Sequence, residues 1–197
     1  MAENKVRYGL TNVHVAIIEE VKDDKEVYGE FKRVRGAVNL NLEPVGDQTP
    51  FYADNMAYHV FTSNAGYNGT LEVAEIPEFF LEEILGEQKI DGVLVESIKQ
   101  KGKSFALAFE FDGDKKATRH VLYNCTASRP NISGATTAES TEAQTSELTF
   151  TGAPNAEGVV RAKTGAETDN AIYDAWYDAP FEVEAQIDVP KVPTEKE

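Results

Sequence analysis

From Phe105 to Phe111 every second residue is large and apolar, and the residues between them are Ala106, Ala108 and Glu110. A period of two places the four large side chains on one face of a β-strand, whereas a helix would scatter them around its circumference. Asp112-Gly113-Asp114-Lys115 then turns the chain, and Thr118 to Cys125 returns it as the second half of a hairpin. A chain with this segment at its centre has to build a sheet with one face of large apolar side chains.

Other segments follow the same rule. Val13 to Ile18 is β-branched and reads as a first strand. Ala37 to Leu42 alternates, with Val38, Leu40 and Leu42 expected on one face, until Pro44 and Gly46 break it. Phe51 to Asn55 and Tyr58 to Phe61 continue the pattern. Asn68-Gly69 predicts a hairpin turn, because both residues tolerate positive φ, with Thr70 to Ala74 as its outgoing strand. Ser146 to Thr151 places Leu148 and Phe150 inward, and Val159 to Lys163 adds a further strand. One helix is expected over about residues 77–85, with Pro77 at its start and Gly86 just past its end. Phe80 and Ile84, and Leu81 and Leu85, stack at spacing four; a helix of about nine residues needs a sheet to dock on. Eight to ten short strands without βαβ alternation predict a mainly β fold, a β-sandwich or barrel with one short flanking α-helix and long assembly loops. The expected organisation is a single domain over 1–185 and a flexible C-terminal tail over 186–197.

Composition narrows the function. The chain has 34 acidic against 19 basic residues, a formal charge of −15, which disfavours a non-specific grip on nucleic acid or anionic lipid. Its most compact basic run, Lys32-Arg33-Val34-Arg35, reads as a solvated strand end. No apolar stretch has the length of a signal peptide or a membrane span, so a soluble protein made in a cytosol is expected. His14, His59 and His120 stand far apart, and the single cysteine, Cys125, lies in a strand pattern as a small core residue. Asp112-Gly113-Asp114 lacks the further oxygen ligands and distal Glu of a calcium loop. No phosphate-cradling loop, nucleophile elbow or metalloprotease motif is present. No enzymatic function, cofactor or metal is expected.

What the sequence does carry is long polar excursions. Glu43 to Pro50 is one, and Arg129 to Thr145 is another, with Ile132 its only large apolar residue. Loops of that length inside a compact domain usually have work to do, and without chemical hardware the work is contact with another subunit.

Several stretches together resemble one family. They are Phe51 to Asn55, Asn64 to Leu71, Ile76-Pro77-Glu78 with its helix, Phe105 to Asp114, Thr118 to Cys125 and Ser128-Arg129-Pro130. In order and spacing, from about Lys5 to Phe181, they are similar to the major tail (tail tube) proteins of long, non-contractile-tailed bacteriophages of Gram-positive bacteria. The resemblance implies a virion structural protein that forms hexameric rings stacked into a hollow tail tube. It implies contacts with itself, with tape-measure protein in the lumen during assembly, and with distal tail and tail terminator proteins at the tube ends. DNA would pass through without specific binding and no membrane is involved. Six subunits at −15 would put about 90 negative charges on each ring, which suits an acidic conduit for DNA ejection.

Candidate interface residues follow the excursions and the late aromatic segment. They are Pro50, Phe51, Tyr52, Asp54 and Asn55, then Arg129, Ile132 and Thr136. Trp176 and Tyr177 either anchor on a neighbour or close their own domain. The acids Glu78, Glu82 and Glu83 are candidates for the lumen. The alternative reading is a non-catalytic β-sandwich binding module that recognises carbohydrate or a cell surface.

Overall fold

The computed structural model describes residues 4–23, 25–136 and 143–183. Their strands are β1 (Arg7–Lys22), β2 (Lys25–Tyr28), β3 (Lys32–Arg33), β4 (Ala37–Val45), β5 (Gln48–Ala53), β6 (Met56–Thr62) and β7 (Gly66–Val73). After a helical turn come β8 (Gln88–Ile90), β9 (Val93–Val95), β10 (Phe105–Gly113), β11 (Thr118–Ala127), β12 (Ser146–Ala153) and β13 (Arg161–Lys163). Nine of them form one sheet in the order β2-β1-β10-β11-β12-β7-β4, with β3 beside β1 and β13 beside β11. Every neighbouring pair is antiparallel. The remaining four strands form two separate hairpins, β5–β6 and β8–β9. The expected tail, 186–197, lies outside the described residues.

The fold is mainly β with a short flanking helix, and the sheet does not close into a barrel. It curls nonetheless, because Leu10 of β1 packs in the same core as Leu40 and Leu42 of β4, at the far end of the strand order. The link between the two sides is a short crossing. The Val34 amide donates to the Val13 carbonyl at 2.8 Å, and the Ala74 amide donates to the Gly36 carbonyl at 2.7 Å. Between them Gly36, at φ 78°, swings the chain from β1 to β7.

The alternation in β10 sorts the two faces of the sheet. Phe105, Leu107 and Phe109 are buried with Val13, Val15, Leu122, Leu148 and Phe150 in the larger core. Ala106 and Ala108 lie on the opposite face with Ala16, Val121 and Tyr123, where Trp176 covers them. Small residues on that second face let the flat indole sit close to the backbone. Cys125 is fully buried in the larger core, and its thiol is inert as a structural group.

The helix over 77–85 forms, but its middle, Phe80–Ile84, is π-helical, with the Leu85 amide donating to the Phe80 carbonyl at 3.0 Å. The wider turn brings Phe80, Ile84 and Leu85 all to the core, where Phe80 meets Phe105 edge-to-face at 5.6 Å. Gly86 ends it at φ 83°, where a Cβ would stand 2.7 Å from the Lys101 carbonyl oxygen.

Two expectations are corrected. Val38 does not share a face with Leu40 and Leu42, because a bulge between Ala37 and Asn39 turns it to solvent. Asn68-Gly69 is not a turn but the middle of β7. Gly69 is there because the Phe150 ring of β12 fills its face: an added Cβ would come within 2.2 Å of that ring. The turn falls instead at Asp54–Asn55, where φ is 51° and 60°.

Phe80→Ala would empty the site that joins the helical turn to the sheet. It is expected to lower stability by about 3–5 kcal/mol, read from the midpoint of urea unfolding.

Candidate assembly surface

β4 and β7 pair along the sheet, and past Val45 and Gly66 the same two chain segments run on as β5 and β6. A neck separates the two halves. There the Asp47 carbonyl accepts from the Ser63 amide at 2.9 Å, and the Val45 carbonyl accepts from the Ala65 amide at 2.8 Å. Gly46 is required at the neck, since a Cβ would lie 2.1 Å from the Ser63 carbonyl oxygen. Beyond it the ribbon is an arm with no third strand beside it among the described residues. Phe51 is 54% exposed, Tyr52 67% and Phe61 60%, and Met56, Tyr58 and Val60 are exposed too. Phe51 pairs with His59 and Thr49 with Phe61 on one face, while Pro50 pairs with Val60 on the other. Both faces of the arm therefore show apolar side chains to solvent.

The sequence-derived candidates fall into three groups. Pro50, Phe51 and Tyr52 lie on β5, and Asp54 and Asn55 form the arm's tip, so the first set is one continuous projection. Arg129, Ile132 and Thr136 lie in the stretch after β11, all exposed, with Arg129 paired to Glu96. Trp176 and Tyr177 belong to a segment folded on its own sheet. A short α-helix (Asn170–Asp174), begun by the Asp169 side chain accepting from the Ala171 amide, leads into a 3-10 turn (Ala175–Tyr177). Trp176 is 4% exposed, and its indole N–H points to the His120 carbonyl at 3.4 Å. Tyr177 stacks beside His14 at 4.5 Å and donates to Glu110 at 3.3 Å. Glu110 is also bound by Arg119 at 3.0 Å and by Thr11 at 3.2 Å, and Arg119 in turn donates to the Tyr173 carbonyl and lies 3.8 Å from the Tyr173 ring centroid. Of the two placements open to Trp176, it takes the one within its own domain.

Glu78, Glu82 and Glu83 sit on and beside the helical turn, each within reach of a lysine. Lys32 binds Glu83 at 2.5 Å, and Lys89 binds Glu78 at 2.6 Å and Glu82 at 3.5 Å. Two ammonium groups thus offset part of the charge of these three carboxylates.

Two features escaped the sequence reading. The β8–β9 hairpin turns at Asp91-Gly92 and exposes Ile90, Val93 and Val95, with Ile98 fully exposed beyond it. The Asp-Gly pair between apolar runs was a readable signal. The second is a cluster of cations from distant parts of the chain. Lys163 opposes His120 and Arg161 opposes Leu122 across β11–β13, while Arg7 stands 5.2 Å over the Phe111 ring, which packs against His120 at 5.6 Å. Strand pairing alone brings these residues together, so no local motif announces them.

A family model described as phage tail tube protein matches residues 2–189, nearly the whole chain. The search of curated proteins returned no match.

His120 stacks flat on Phe109 at 5.0 Å. Burial, reinforced by Arg161, Lys163 and Arg7, pushes its pKa from 6.5 down to about 4. Folding thus weakens proton binding at His120. Its contribution to stability is complete above pH 6.5 and is lost as the pH falls towards 4, by up to about 3 kcal/mol. His120→Gln should flatten the fall in the urea midpoint between pH 6.5 and 4 relative to the native chain.

Proposed function

The chain belongs to the phage tail tube protein family, and from that premise we propose that it polymerises as stacked hexameric rings whose bore conducts DNA. The observation that carries the proposal is the β5–β6 arm. A lone two-stranded hairpin is marginal in water, and this one leaves Phe51, Tyr52 and Phe61 more than half exposed. Burying each such aromatic against a neighbour contributes on the order of 2 kcal/mol. An arm reaching from one copy to a different surface of the next makes a head-to-tail contact, which generates rings and filaments. The exposed residues Arg129, Ile132 and Thr136 and the β8–β9 hairpin supply further surface for such contacts. Among the described residues β2 and β4 are the edge strands of the sheet, where another copy could pair.

Tape-measure protein, distal tail protein and terminator protein are the expected partners in that assembly. Glu78, Glu82 and Glu83 would face the bore with most of their charge already cancelled by Lys32 and Lys89. Repulsion of the genome then has to come from the chain's overall surplus of acids, 34 against 19.

Concentrated protein should form rings or tubes in electron micrographs. The triple variant Phe51→Ser, Tyr52→Ser, Phe61→Ser should keep its folding cooperativity and remain monomeric. Tubes that form equally well from the variant, or native monomers that bind glycan and never associate, would count against the proposal.

A further inference from the structure

In a chain of net charge −15, Arg7, Arg161 and Lys163 are, like several other exposed lysines and arginines, in no ion pair among the described residues; what sets these three apart is that they gather around one buried histidine, His120. Each is seated on an aromatic ring or beside one instead. Arg7 lies over Phe111 at 5.2 Å, Arg161 over Tyr67 at 5.3 Å, and Lys163 is the cross-strand partner of His120. His120 is neutral at pH 7 and adds no charge of its own. The three cations form a positive rim at one end of the larger core, above Phe111 and Tyr67.

The arm supplies the complementary group. Over residues 48–62 it carries one carboxylate, Asp54, and its only other titratable groups are Tyr52, Tyr58 and His59. Asp54 and Asn55 both have left-handed backbone at the tip, the outermost part of the ribbon. We propose that the Asp54–Asn55 tip of one copy seats on the Arg7, Arg161 and Lys163 rim of a second copy, with Tyr52 and Met56 covering the aromatic floor. This deepens the tube reading and rests on it.

The second copy is required by length. Arg161 lies against Tyr67, close to the neck, and β5 runs six residues from that neck, about 20 Å at strand rise. A chain's own tip thus stands a strand's length away from its own rim, pointing outward. A phosphate would also satisfy three cations. The acidic surplus disfavours a polyanion at this surface, and a carboxylate on a projecting, otherwise uncharged arm fits a socket of this size.

The test compares polymer formation by sedimentation, at low and high salt, for the native chain, Asp54→Lys, the pair Arg161→Glu with Lys163→Glu, and all three changes together. Each one-sided variant should raise the concentration needed for polymerisation about tenfold at low salt, and the combined charge swap should restore it. Native tubes with unaffected one-sided variants, or a combined variant no better than either alone, would overturn the socket while leaving the tube reading in place. Binding of a short DNA duplex that depends on Arg161 and Lys163, with polymerisation unchanged, would overturn it in favour of phosphate. A native chain that never polymerises would remove both readings.

Discussion

A two-stranded ribbon cannot bury both of its faces by itself, and this molecule is organised around one ribbon that is half inside a sheet and half outside it. Within the sheet, β7 is flanked by β4 and β12, and its inward residues Leu71 and Val73 are buried. Past the neck at Gly46 the same ribbon has no third strand among the described residues, and Phe51, Tyr58 and Phe61 are exposed. The alternating side chains continue, and no other strand among the described residues pairs with the ribbon to cover them. The domain thus buries its core and leaves the apolar side chains of its arm exposed, as the proposed tube contact requires.

Most of the core was legible because period two is a property of single strands. The Phe105–Phe111 face, the inward pair Leu148 and Phe150, and the placement of Gly86 after a helix all follow from local pattern. What local pattern cannot report is what lies across from a residue. Gly69 was expected to turn because it can, whereas in the fold it is small because Phe150 needs the space. Val38 was assigned by parity, and one bulge changed its parity. Trp176 was equally suited to a neighbour or to its own sheet. The deciding residues, Ala16, Ala106 and Ala108, are small positions on two different strands that only become one seat when β1 and β10 pair.

The candidate surface was legible by halves for the same reason. Pro50 to Asn55 is contiguous, so an unusual aromatic run beside a turn could be singled out. Its return strand, Met56 to Thr62, reads like any buried strand, and only the missing third strand reveals it as exposed. The Arg7, Arg161 and Lys163 rim spans nearly the whole chain and exists only through the β1–β10 and β11–β13 pairings. Net charge also misleads when read as a surface property. Glu78, Glu82 and Glu83, singled out from the sequence as lumen candidates, are each bound by a lysine, Lys32 of β3 or Lys89 of β8.

Charge in this molecule therefore has to be read by location. Ion pairs on exposed surface contribute little to stability, generally under about 1 kcal/mol, so the lysines beside Glu78, Glu82 and Glu83 do not hold the fold together. Their effect is to remove a local field. The carboxylate that matters for the fold is Glu110, buried and bound by Arg119, Thr11 and Tyr177, where losing one partner would strand a charge away from water. That cluster pins the late aromatic segment to the sheet. With this network satisfied internally, the arm is left as one of the largest runs of exposed apolar side chains, the β8–β9 hairpin with Ile98 being another. A self-associating subunit needs its unmet interactions at two different places that match each other. In the proposed tube, the apolar arm with its single carboxylate, Asp54, and the rim of Arg7, Arg161 and Lys163 would be those two places.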